Sequence, residues 1–200
     1  MAYPPTVSES IYRGYPLLPY DGPGAGYHQV IQDRIIDRFE FMFGKFRQVL
    51  WVHLVIRFPT AVQAPDGNGC FQFFMEEYRR YLAAQGFHPH FVWVREKHES
   101  HNPHYHLLLL LNGDEIRYYL SPEKADYLWN LTLERTFGVP ALKCGLIEVA
   151  PSEFGNHGVL ISNADEALKR TMIQYSSYFA KLNTKGDAGK RVREFGCSML

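Results

Sequence analysis

A chain of 200 residues is long enough for one domain with a sizeable core, and a 46% hydrophobic share excludes a disordered chain. Its 21 Lys and Arg balance 21 Asp and Glu, which excludes a broadly basic nucleic-acid coat, so any nucleic-acid surface must come from local clustering. Three distant cysteines (Cys70, Cys144, Cys197), no N-terminal leader pattern and no run of eighteen apolar residues lead to the expectation of a soluble, cytoplasmic protein without disulfides or a membrane span.

Residues 1–27 are rich in Pro, Gly and Tyr. Such a segment cannot hold a helix and reads as an extended arm, with a disordered tail as the simpler alternative. Residues 28–200 then form the single domain. From His28 to Arg47, Ile31, Ile35, Phe39, Met42, Phe43 and Phe46 recur at helical spacing, which predicts a long amphipathic helix. Leu50 to Phe58 is rich in β-branched and aromatic residues and stops at Pro59, so it is a predicted strand. His53 and Arg57 share one face of it. His53 reads as a core or edge histidine rather than a ligand, and Arg57 as a phosphate contact. Cys70 to Gln85 is a second predicted helix, closed by Gly86.

The most informative stretch follows. FVWVRE is a strand ending at Glu96, and a polar loop then closes with Asn102-Pro103. The next strand opens with His104 and His106 and continues as the apolar block Leu107 to Leu111, the pattern of a strand buried on both faces. Two residues apart in a strand, His104 and His106 point to one face, and Tyr105 points to the other. If the strands pair, Glu96 lies opposite His104. Two imidazoles and a carboxylate on adjacent strands make a three-ligand site with open positions for substrate or water, as a catalytic divalent ion needs.

Ser121-Pro122-Glu123 starts a helix expected to run to about Thr136. Residues 142–149 and 157–162 read as two further strands, with His157 as a loop histidine. The last helix starts at an N-cap in residues 163–165 and is expected to run to about Asn183. In it Tyr178 and Lys181 share a face, with Lys185 close by, on a solvent-facing stripe. The phenol is a candidate nucleophile, and the ammonium groups should offset phosphate charge and favour phenolate. Residues 165–200 carry 7 Lys or Arg against 4 Asp or Glu, a mild basic excess. Tyr175 reads first as packing.

Taken together, His104-Tyr105-His106, the Tyr178-Phe179-Ala180-Lys181 run and Glu96 eight residues before His104 resemble the motifs of HUH endonucleases, in the order found in their single-tyrosine replication initiators. More closely, VWVRE, HNPHYHLLLLLN, the tyrosine run and Arg193 to Gly196 resemble the inovirus replication proteins of the gene-two type, a group that overlaps the YagK/YfjJ C-terminal-domain family. The resemblance covers roughly residues 47–198. It implies an α+β, HUH-type (RRM/ferredoxin-like) fold, with a central antiparallel sheet of about five strands flanked by helices. It also implies a rolling-circle nickase. Glu96, His104 and His106 would hold Mg2+ or Mn2+, and Tyr178 would attack single-stranded origin DNA to leave a 5′-phosphotyrosine bond, with Lys181 stabilising charge. Tyr175 is a second candidate nucleophile. Arg57, Lys185 and Arg191 are candidate DNA-backbone contacts, and a host helicase is the expected partner. A catalytically inactive single-strand-binding module of the same fold is the alternative.

Overall fold

Three long strands buried on both faces set the architecture. In the computed structural model, which describes residues 5–19, 25–97, 101–116, 123–138, 146–150, 157–182 and 192–200, these are β1 (Gln48–Arg57), β2 (His90–Glu96) and β3 (His104–Asn112). Helix α1 (Gln29–Lys45) precedes β1, and α2 (Gly69–Ala84) lies between β1 and β2. After β3 come α3 (Glu123–Phe137), β4 (Ile147–Val149), β5 (Val159–Ser162), α4 (Glu166–Ser176) and β6 (Phe195–Cys197). The sheet is wholly antiparallel, in the order β6-β2-β3-β1. The free edge of β1 is shared: β4 pairs with Leu54–Ile56, and β5 with Gln48–Trp51.

Residues of opposite parity face two separate cores. On the front, Val49, Trp51, Val92, Val94, Leu108 and Leu110 pack with α1 and α4. On the back, Leu50, Val52, Leu54, Ile56, Trp93, Tyr105, Leu107, Leu109 and Leu111 pack with α2 and α3. Helices cover both faces, so the central strand β3 is apolar at every position from Leu107 to Leu111. No described helix is long and apolar enough to cross a membrane.

The α+β class and the antiparallel sheet match the expectation, but the sheet has six strands rather than about five. The sixth, β6, spans three residues at an edge and contains Gly196, too little for a period-2 pattern. Gly196 is the register partner of Trp93, and a Cβ there would sit 2.7 Å from the indole. The expected helix start at residues 121 and 122 and residues 142–145 of the expected fourth strand, with Cys144, lie outside the described residues. Cys70 and Cys197 are free thiols.

The described part of the arm, residues 5–19, is folded against the domain and is no loose tail. Thr6–Val7 pairs with Tyr27–His28, and Ile11–Tyr12 with Tyr15–Pro16. Arg13 and Gly14, at φ 50° and 81°, make the two-residue turn of the latter hairpin. From that tip the Arg13 guanidinium reaches Asp33, Asp37 and Glu40 along α1, at 3.4, 2.7 and 3.0 Å. Val7 and Leu17 are buried in the front core. The sequence reading missed this hairpin because its turn is Arg-Gly rather than Asn-Gly or Asp-Gly.

Candidate functional site

Towards the end of the front face where β3 begins, apolar positions give way to polar ones. Strand register decides which groups meet. Glu96 is the direct cross-strand partner of His104, and Val94 that of His106. On the other side of β3, His104 faces Arg57 and His106 faces Val55. The β2–β3 hairpin is held at its loop by Asn102, whose amide donates to the Pro59 and Val62 carbonyls and whose Oδ1 accepts from the Ala64 N–H.

Glu96, His104 and His106 therefore converge. Glu96 Oε2 lies 3.3 Å from His106 Nε2 and 3.7 Å from His104 Nε2, and one ligand atom from each residue fits within 4.8 Å of the others. Glu96 is 3% exposed and His106 7%. A buried carboxylate is costly unless positive charge is near. The donor set of one carboxylate and two imidazoles suits a divalent ion with positions left over. This group can hold a metal ion; the donors leave its identity open.

A fourth residue joins them. His53 Nε2 is 2.9 Å from His106 Nδ1. In the tautomer that leaves a lone pair on His106 Nε2, the Nδ1–H donates to His53. Burial pushes the His53 pKa down to about 3, assisted by His106 and opposed by Glu96, so His53 is neutral and able to accept that proton's hydrogen bond. Sequence reading set His53 aside as a core or edge residue. A signal was present: a lone polar residue in the apolar run Val52–Ile56, on the same face as Arg57.

The tyrosine reaches the site differently from the expectation. Asp165 caps α4 as foreseen, accepting from the Leu168 N–H at 3.0 Å. The α-helix stops at Ser176, however, and a 3-10 turn, Ser177–Ala180, carries Tyr178. Two serine hydroxyls explain the change. Ser176 Oγ donates back to the Met172 carbonyl and accepts from Trp51 Nε1; Ser177 Oγ donates to the Gln174 carbonyl and accepts from the Leu18 N–H. Such back-bonding competes with the helical ladder and tightens its end. The arm holds the far side of the turn as well: Leu182 N–H donates to the Gly26 carbonyl, and Tyr27 bridges to Lys181.

The Tyr178 ring lies 5.5 Å from that of His106 and 6.4 Å from that of His53. Three residues per 3-10 turn eclipse positions i and i+3, and Lys181 Nζ stands 4.6 Å from the Tyr178 ring centroid. Tyr178 is half-buried, not on a solvent-facing stripe. Its pKa is raised, first by burial and then by the Glu96 charge. The raised pKa runs opposite to the expectation that nearby lysines would favour phenolate: burial and the Glu96 charge disfavour the charged form.

The remaining candidates are less gathered. Arg57 sits at the rim, cross-strand from His104, in an ion pair with Glu148 at 2.6 Å. Tyr175 is half-buried against the front core and, with His53, His106 and Tyr178, lines a cleft of about 340 Å³. His157 is exposed, as the loop reading has it. Lys185 and Arg191 lie outside the described residues.

No curated protein matches the chain in sequence. The family model of the YagK/YfjJ C-terminal domain matches residues 25–198, a span that includes the sheet, the four helices among the described residues and the tyrosine turn, and the chain belongs to that family.

Proposed function

We propose that the protein is a metal-dependent single-stranded DNA nicking and joining enzyme of the HUH type that initiates rolling-circle replication in the manner of the inovirus gene-two-type proteins, within a bacterial cytoplasm. The carrying observation is the placement of the Tyr178 phenol beside a Glu96–His104–His106 cluster, with its ring 5.5 Å from that of His106. A tyrosine that served packing alone would gain nothing from three metal-ligating groups at its side.

When bound, Mg2+ or Mn2+ at Glu96, His104 and His106 would polarise the scissile phosphate and offset its charge. The chain's own residues do the rest. Tyr178 Oη attacks phosphorus, forming the 5′-phosphotyrosine ester as the bond to the 3′-oxygen breaks. The phenol proton is delivered, directly or through water, to the departing 3′-oxygen. Lys181, over the ring, offsets charge on the reacting oxygens. Because ester replaces ester, the 3′-hydroxyl can reverse the step and rejoin the strand. Arg57 can exchange Glu148 for a DNA phosphate, since an exposed ion pair is worth only about 0–1 kcal/mol.

The test is formation of a covalent adduct. Labelled single-stranded origin DNA incubated with protein and Mn2+ should give a DNA–protein species that survives denaturant. Tyr178→Phe should not form it. His106→Ala should lose cleavage and keep most DNA binding. Binding without any adduct, at every metal tried, would falsify the enzyme and leave a single-strand-binding module.

A further inference from the structure

Beside the metal-ligating cluster lies the cleft of about 340 Å³, which nothing in the nicking step itself requires. It is at the small end of the roughly 300–1,000 Å³ usual for ligand pockets, the scale of one planar ring system. Leu18, Trp51, Val55 and Tyr175 line it, and it shares His106 and Tyr178 with the reacting centre. Among the described residues no lysine, arginine or carboxylate lines it, so its surface suits an uncharged aromatic group and is poor for phosphate.

The walls are fixed in advance. Trp51 is held by its indole N–H to Ser176 Oγ at 2.9 Å. Leu18, delivered by the arm, is pinned by its own N–H to Ser177 Oγ and by Tyr27 Oη donating to its carbonyl. Gln174 Nε2 holds the neighbouring Leu17 carbonyl at 3.2 Å. A wall that loses little freedom on binding keeps more of its contact energy as affinity.

We propose that this cleft receives the nucleobase adjoining the scissile phosphate, so that the arm takes part in substrate binding through Leu18. The inference rests on the nicking proposal, because the shared His106 and Tyr178 place the occupant one nucleotide from the phosphate. Aromatic and apolar walls recognise a base by its faces, and base–aromatic stacking is sequence-tolerant. The site would thus fix where the strand lies before it fixes which base is there.

The experiment uses the full chain with Mg2+ and four deoxynucleoside 5′-monophosphates, compared with 2-deoxyribose 5-phosphate, which lacks the base. Binding is followed by amide NMR shifts, with the Trp51 indole N–H as a local reporter. At least one nucleotide should bind roughly 10-fold more tightly than the sugar phosphate. Leu18→Trp, which fills the cleft, should erase that advantage and leave the sugar phosphate affinity unchanged; Tyr175→Leu, which removes an aromatic wall, should reduce it. Equal affinities in the native chain, or an advantage that survives both variants, would overturn the cleft assignment and leave the nicking proposal standing. A sugar phosphate that fails to bind with Mg2+ counts against the phosphate centre instead, and base-bearing deoxynucleosides then decide the cleft: a Trp51 response abolished by Leu18→Trp supports it, and no response rejects it.

Discussion

The two faces of the sheet hold tyrosines in opposite settings on either side of the strand that carries His106. On the back, Tyr105 lies between the two histidines in sequence and is fully buried. Its ring stacks on Phe71 at 3.8 Å, its Oη donates to Asn68 Oδ1 at 2.9 Å, and burial pushes its pKa up to about 12. On the front, Tyr178 is half-buried among imidazoles, under an ammonium group and next to a cleft. One phenol closes a core and the other borders an open cleft. Residue type does not separate these fates; strand parity and access do.

That contrast is sharpest in a pair of equal substitutions. Tyr178→Phe should cut adduct formation by at least about 10³-fold, since the proposed nucleophilic oxygen is gone, and leave stability within about 1 kcal/mol. Tyr105→Phe should leave adduct formation near normal and cost about 1–3 kcal/mol in urea unfolding, because Asn68 loses its buried partner. If the two swapped behaviour, the assignment of faces would be wrong.

A second break targets the support of the front site. His53→Leu removes the acceptor that orients His106, and should weaken Mn2+ binding about 10- to 100-fold by calorimetry. An unchanged affinity would return His53 to the role of packing. On the back face the matching test is Trp129→Ala. Trp129 is fully buried and its indole N–H donates to the Arg57 carbonyl at 2.7 Å, so about 3–5 kcal/mol of stability should be lost. Mn2+ affinity in the folded protein should move far less than in His53→Leu.

The smallest expected effect is a pH dependence of metal-free stability. His53 is held near 3 when folded against 6.5 unfolded, and His90 is shifted down too, chiefly by burial. The unfolded chain binds these protons first. Their contribution is therefore complete above about pH 6.5 and is lost as pH falls through the window below it. Between pH 6.5 and 5, His53 alone should account for about 1–2 kcal/mol in urea unfolding, and His53→Leu should flatten that part of the profile.

Much of this molecule is written in local pattern. Apolar and β-branched runs place β1, β2 and β3, and helical spacing and cap signals place α1, α2, α3 and the start of α4, within a few residues; the end expected for α4 is too late, and parity alone puts His104 and His106 on one face with Tyr105 behind. The Glu96–His104 pairing follows from a short hairpin whose strands must lie side by side. These features are legible because each depends on neighbours close in sequence. What stayed hidden depends on partners far away. β6 exists because β2 offers it an edge. The arm is ordered because α1 presents Asp33, Asp37 and Glu40 to Arg13. The 3-10 turn at Tyr178 is fixed by serine hydroxyls, one of which meets Trp51 from 125 residues earlier. His53 gains its hydrogen bond only when two strands 53 residues apart align. Sequence by itself determined the candidate metal-ligating side chains and their face; the fold decided the reach of the tyrosine, the protonation of His53 and the cleft beside them, because packing and burial are properties of distant segments brought together.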